Sequence, residues 1–142
     1  MSSAAPFRNG RERGQGSIEF ALTIGFLVIL LVSMLEMSIF LYNYAVLTDA
    51  AKEGVRYAIV HGASGTNPSS GGSAQGVVNT VKAYAAASLH STSGMVVNVT
   101  YATDNNPGSE VEVKVSYVYQ PLFLTNWAAI TISANSAGRI MF

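Results

Sequence analysis

The chain has 142 residues, with eight basic and eight acidic side chains; 11% of residues are charged and 49% hydrophobic. Balanced charge argues against a nucleic-acid binder, and the apolar content argues against disorder. Cysteine is absent and the two histidines, His61 and His90, are too few for a usual zinc site, so no disulfide framework, metal centre or cofactor is expected.

Residues 1–14 form a short basic leader, with Arg8, Arg11, Glu12 and Arg13 ahead of Gly14. From Phe20 to Tyr42 the chain reads FALTIGFLVILLVSMLEMSIFLY, and 14 of these 23 residues are Leu, Ile, Val or Phe. Each favours insertion near a helix centre by roughly 0.3–0.6 kcal/mol, about 6 in sum, whereas a central carboxylate costs roughly 3. Glu36 lies toward the C-terminal end of the run, where the cost is smaller, so insertion wins. Such a helix spans about 35 Å, enough to cross a bilayer with some tilt. A buried core helix is rarely apolar on every face for this long. A cleaved secretory signal has an apolar region of about 7–15 residues and a small-x-small site, which Asn43-Tyr44-Ala45-Val46 does not supply. Residues 15–44 therefore read as a transmembrane helix. The basic excess precedes it, while Asp49, Lys52, Glu53 and Arg56 balance after it. This predicts a cytoplasmic N-terminus and an extracytoplasmic domain over 45–142.

Past the membrane, Val46, Leu47, Ala50, Ala51, Gly54, Val55, Ala58 and Ile59 recur at helical spacing with no proline, so one helix is expected from about Ser17 to about Val60. The Gly/Ser-rich tract over 62–74 reads as a loop. A second helix is expected over 74–89, with Val77, Val78, Val81, Tyr84, Ala85, Ser88 and Leu89 on one stripe. Strands follow over 95–103 and 110–119, joined by the turn cluster Asp104-Asn105-Asn106-Pro107-Gly108. In the second strand Val111, Val113, Val115, Tyr117 and Tyr119 alternate with Glu110, Glu112, Lys114 and Ser116. After Pro121 and a loop around Asn126 and Trp127, a third strand is expected over 129–141. The fold class is α+β: a long N-terminal helix, then one helix packed on an antiparallel sheet of three or more strands.

The most informative residues are Arg11-Glu12-Arg13-Gly14-Gln15-Gly16-Ser17-Ile18-Glu19-Phe20. A basic leader ending in Gly, with Glu five residues on and an apolar helix at once behind it, resembles the class III signal of type IV pilin-like proteins. Glu19-Phe20-Ala21-Leu22, Leu35-Glu36 and Asp49-Ala50-Ala51-Lys52-Glu53-Gly54-Val55-Arg56-Tyr57-Ala58 further resemble the TadE-like family, as do Val113 to Pro121 and Ser133 to Arg139 near the C-terminus. The resemblance implies a pseudopilin or minor pilin of a tight-adherence (Tad) pilus. It implies cutting by a prepilin peptidase between Gly14 and Gln15, and a mature chain whose fifth residue is Glu19. It also implies as partners other pilin subunits, an inner-membrane assembly platform and the bilayer, with homo- or hetero-oligomers formed through the N-terminal helix. The location implied is the bacterial cytoplasmic membrane or a filament. Gly at the cut suits an extended backbone entering a tight active site. A Glu19 carboxylate in an apolar bundle needs a partner, which the new α-amino group of a neighbour supplies, and the pair would set axial register.

Weaker signals remain. Glu36 is a candidate interhelical contact. Ala50, Gly54 and Ala58 make a small-residue ridge suited either to a neighbouring helix or to the chain's own sheet. Asp104-Asn105-Asn106 reads as turn chemistry rather than a calcium loop, which needs more carboxylates. Asn98-Val99-Thr100 is a sequon in a strand. No phosphate-binding loop, nucleophile elbow or metalloprotease helix is present, so an enzyme is not expected. Alternatives to a minor pilin are the major subunit of its own filament, or an uncleaved single-pass anchor whose outer domain binds a partner.

Overall fold

The computed structural model describes residues 11–62, 74–123 and 129–141. Arg8, most of the expected 62–74 loop, Asn126, Trp127 and Phe142 lie outside the described residues. The element order is α1 (Arg11–Val60), α2 (Gln75–Ala86), β1 (Val96–Tyr101), β2 (Glu110–Tyr119) and β3 (Ile130–Arg139). The chain divides into two compact units at Met37/Ser38.

The first unit holds the N-terminal part of α1, a helix of 50 residues in all. The helix begins at Arg11, ahead of the expected Ser17, and runs through Gly14 and Gly16. Each glycine costs a helix about 1 kcal/mol relative to Ala, but an established helix propagates across them because every added residue closes a hydrogen bond. The apolar run is long enough, by length and composition, to cross a membrane, and none of it is buried within the molecule.

The second unit is an α+β domain whose core includes the C-terminal part of α1. Val46, Leu47, Ala50, Ala51, Val55 and Ala58 are buried, as their helical spacing predicts. Ile39 and Phe40 also pack against this core, so the domain takes in the last turn of the apolar run, ahead of the expected boundary at 45. α2 contributes Val77, Val81 and Ala85, with Leu89 just beyond it. Tyr84 and Ser88, expected on that stripe, are exposed: the i, i+4 row alone meets the core, and they stand about a quarter turn off it.

The sheet has the order β1-β2-β3, antiparallel throughout. Val99 pairs with Val113 and Val113 with Ser136, which sets the register. Val111, Val113, Val115 and Tyr119 of central β2 are buried, and the alternate residues Glu110, Glu112 and Lys114 are exposed, as one wet face requires. The β1–β2 connection is built on a turn in which the Ser109 N–H donates to the Asn106 carbonyl at 3.1 Å. Pro107 and Gly108 are its central residues, and Gly108 has φ +95°, the combination a type II turn needs. Asp104 accepts the Ser109 hydroxyl at 2.5 Å, the Asn106 N–H at 3.2 Å and the Asn106 amide, so its oxygens serve the turn. These donors, the Ser109 hydroxyl first, hold the Asp104 carboxyl below its ordinary range. The Met141 N–H donates to the Ile59 carbonyl at 3.2 Å and ties the chain's end to that of α1.

Candidate processing and assembly site

Gly14 and Gln15 lie within α1, exposed on its surface. No atom stands within 4 Å of where a Cβ on Gly14 or Gly16 would be. The bond between Gly14 and Gln15 is thus exposed and helical. A peptidase that needs an extended strand must unwind this first turn, and the paired glycines are where a helix yields most readily.

Glu19 lies one helical turn past Gln15, whose side-chain amide points to Glu19 Oε1 at 3.5 Å, at the outer limit of a hydrogen bond. The Thr23 hydroxyl donates to the Glu19 carbonyl at 2.8 Å, as helical Ser and Thr commonly do. Glu19 and Phe20 are both exposed, Phe20 to 68%. From Ile18 to Leu35 the large apolar side chains, half-buried Val32 apart, are 41% to 69% exposed, a bare face that water does not favour. Glu36 is partly covered within α1.

Ala50, Gly54 and Ala58 are buried within their own domain. A Cβ on Gly54 would stand 2.5 Å from Val81 Cγ2 of α2 and 3.3 Å from Val113 Cγ1 of β2. The ridge therefore serves close helix packing, but against the chain's own second helix and sheet. The structure brings Gln15 and Glu19 together on one helix face, and joins Gly54 to α2 and β2.

Sequence reading missed three close contacts. A Cβ on Gly138 would stand 2.7 Å from Val55 Cγ1 and 2.8 Å from Ile59 Cδ1, so β3 crosses α1 closely there. The signal was available, since a strand-interior glycine marks close backbone approach. A Cβ on Gly76 would stand 2.9 Å from the Tyr57 hydroxyl, so α2 begins against α1. The Tyr57 and His61 rings stack at 3.9 Å, a contact that i, i+4 spacing permits but does not announce.

A groove of about 650 Å³ beside β1 is lined by Gln75, Asn98, Thr100, Glu112 and Lys114 among others, with no histidine or serine among the described residues that line it. Among the described residues no group of three or more His, Asp or Glu could hold a metal ion.

Residues 14–56 match the family model of TadE-like protein. The match runs from Gly14 through the apolar span to Arg56 and so includes Glu19 and, of the buried ridge, Ala50 and Gly54. It is the family that the leader and the Asp49 to Ala58 motif resemble. No curated protein and no solved structure matches the chain.

Proposed function

We propose that the protein is a pseudopilin or minor pilin that acts in assembling a Tad-type adhesive pilus. It inserts through α1 with its N-terminus in the cytoplasm, is cut after Gly14 by a prepilin peptidase, and keeps its α+β domain outside. The observation that carries this reading is the TadE-like match over residues 14–56, joined to a bare apolar helix directly behind the Gly14-Gln15 bond. After the cut, Glu19 stands one turn from the new amino terminus, where a carboxylate complements the helix dipole and can meet the amino group of a neighbouring subunit. Removing the leader takes a net charge of +2 from a neutral precursor, leaving −2. A structural role fits the TadE-like match.

The helical backbone at Gly14 favours a second reading, an uncleaved single-pass anchor whose outer domain binds a partner. One experiment separates the two: intact mass and N-terminal sequence of the chain expressed with and without a prepilin peptidase. A mature chain beginning at Gln15, lost in Gly14→Val, is the result expected of a pilin. An intact leader beside an active peptidase establishes the anchor in its place. Abundance in purified filaments then distinguishes a minor from a major subunit.

A further inference from the structure

The last turn of the apolar run belongs to the outer domain. The Phe40 ring meets Tyr119 edge-on with centroids 5.8 Å apart, while Val113 stands over Gly54. β2 therefore runs antiparallel to α1, its C-terminal end beside the residues where the helix leaves the apolar run. The helix rise from Gly54 to Phe40 and the strand rise from Val113 to Tyr119 both come to about 20 Å. Past Tyr119 the chain turns at buried Pro121 and presents Leu122 and Phe123, which are 63% and 55% exposed. Val96, Val118 and Ile130 are exposed at the same end of the sheet. Leu122 shares an open hollow of about 390 Å³ with Ile39, Asn43, His90 and Tyr117, and no Asp, Glu, Lys or Arg is among the described residues that line it.

The depth of this end follows from the helix. The hydrocarbon core takes about 20 helical residues. Counted from Phe20, they end at Ile39, so Phe40, Tyr42 and Tyr44 fall at headgroup depth, where aromatic rings concentrate. Leu122 shares its hollow with Ile39 and Asn43 and so lies about level with that turn of α1.

We propose that Leu122 and Phe123 insert into the outer-leaflet interface as a second anchor, so that the domain rests on the lipid surface through this end of its sheet. The proposal rests on reading α1 as a membrane span. A second copy of the chain covers this patch only after assembly, whereas lipid adjoins it whenever the span is inserted. The uncharged lining and the shared level with Ile39 suit lipid.

The chain has no native cysteine, so single nitroxide labels can be placed at will. The full-length protein is reconstituted in excess phosphatidylcholine–phosphatidylglycerol vesicles, with labels on Leu30→Cys in mid-span, on Phe123→Cys, or on Thr103→Cys at the opposite end of the sheet. Power saturation compares access by oxygen, which enriches in lipid, with access by a water-soluble nickel chelate. The oxygen-to-nickel ratio at the Phe123 position is expected to exceed that at Thr103 severalfold and to approach that at Leu30. Leu122→Cys, which keeps the Phe123 ring, is expected to give the same result. Labels at both loop positions as open to nickel as Thr103, with Leu30 in lipid, overturn the second anchor and leave the span intact. Labels shielded from both reagents show protein contact, by a second copy, and overturn the lipid assignment. A Leu30 label in water removes the span and the anchor with it.

Discussion

At Gly54 the tolerance of the core is set by a single hydrogen atom. A methyl group there would approach Val81 at 2.5 Å, where no van der Waals contact is tolerated. Gly54→Val is expected to destabilise the domain by about 1–3 kcal/mol through overpacking. Gly54→Ala should cost less, because Ala recovers about 1 kcal/mol of helix propensity. Urea unfolding of the full chain in detergent, followed by near-ultraviolet dichroism, orders the two variants. A glycine in a helical run of small residues announces close approach, but not what approaches; α2 and β2 are distant in sequence, so the partner was not legible. Asp104 gives a second test. Its carboxyl is held below the ordinary range by the Ser109 hydroxyl and by Asn106, so its contribution is complete above that range and is lost as pH falls through the lowered value. Ser109→Ala should therefore lower stability at neutral pH and make little difference in strong acid, as paired unfolding curves at the two pH values would show.

Periodicity carries far when an element buries one regular face. The α1 stripe from Val46 to Ala58 and the β2 alternation were legible because burial follows 3.6 and 2.0 residue repeats. Its resolving power falls where the buried face is narrow. In α2 only the row Val77, Val81, Ala85 is covered, and the flanking apolar Tyr84 cannot be told from core by type alone. The start of α1 lies ahead of the expected Ser17: Gly14 and Gly16 are poor helix formers, yet a long helix behind them carries the pattern on. The surface of α1 is energetically quiet. Lys52 and Asp49 pair at 3.0 Å, but their side chains are 63% and 53% exposed. Water and salt screen such a pair, so Lys52→Ala should shift stability by less than about 0.5 kcal/mol, as thermal unfolding would register.

At the scale of the whole molecule, the charge around the span predicts the topology. A cysteine replacing exposed Thr103 should react with a membrane-impermeant maleimide from the extracytoplasmic side of intact inner membranes, and one replacing Arg8, in the Gly14→Val chain that keeps its leader, should not. Equal labelling from the cytoplasmic side would reverse the topology. The Gly14-Gln15 to Glu19 pattern is local in sequence and so was visible there, whereas the placing of Leu122 beside Ile39 depends on how β2 lies along α1. That antiparallel course also bears on biogenesis. The helical half of the core emerges first, and its covering strand is made last: Val113, which closes over Gly54, is synthesised about 60 residues later, roughly 3–12 s at ordinary elongation rates. Through that interval α2 alone can cover the ridge at Gly54, through Val77 and Val81, and the sheet side of the ridge stays open. The domain can close only once β2 and β3 have been made, so its core is completed late in synthesis, and a C-terminal truncation before β2 leaves the buried face of α1 without its sheet.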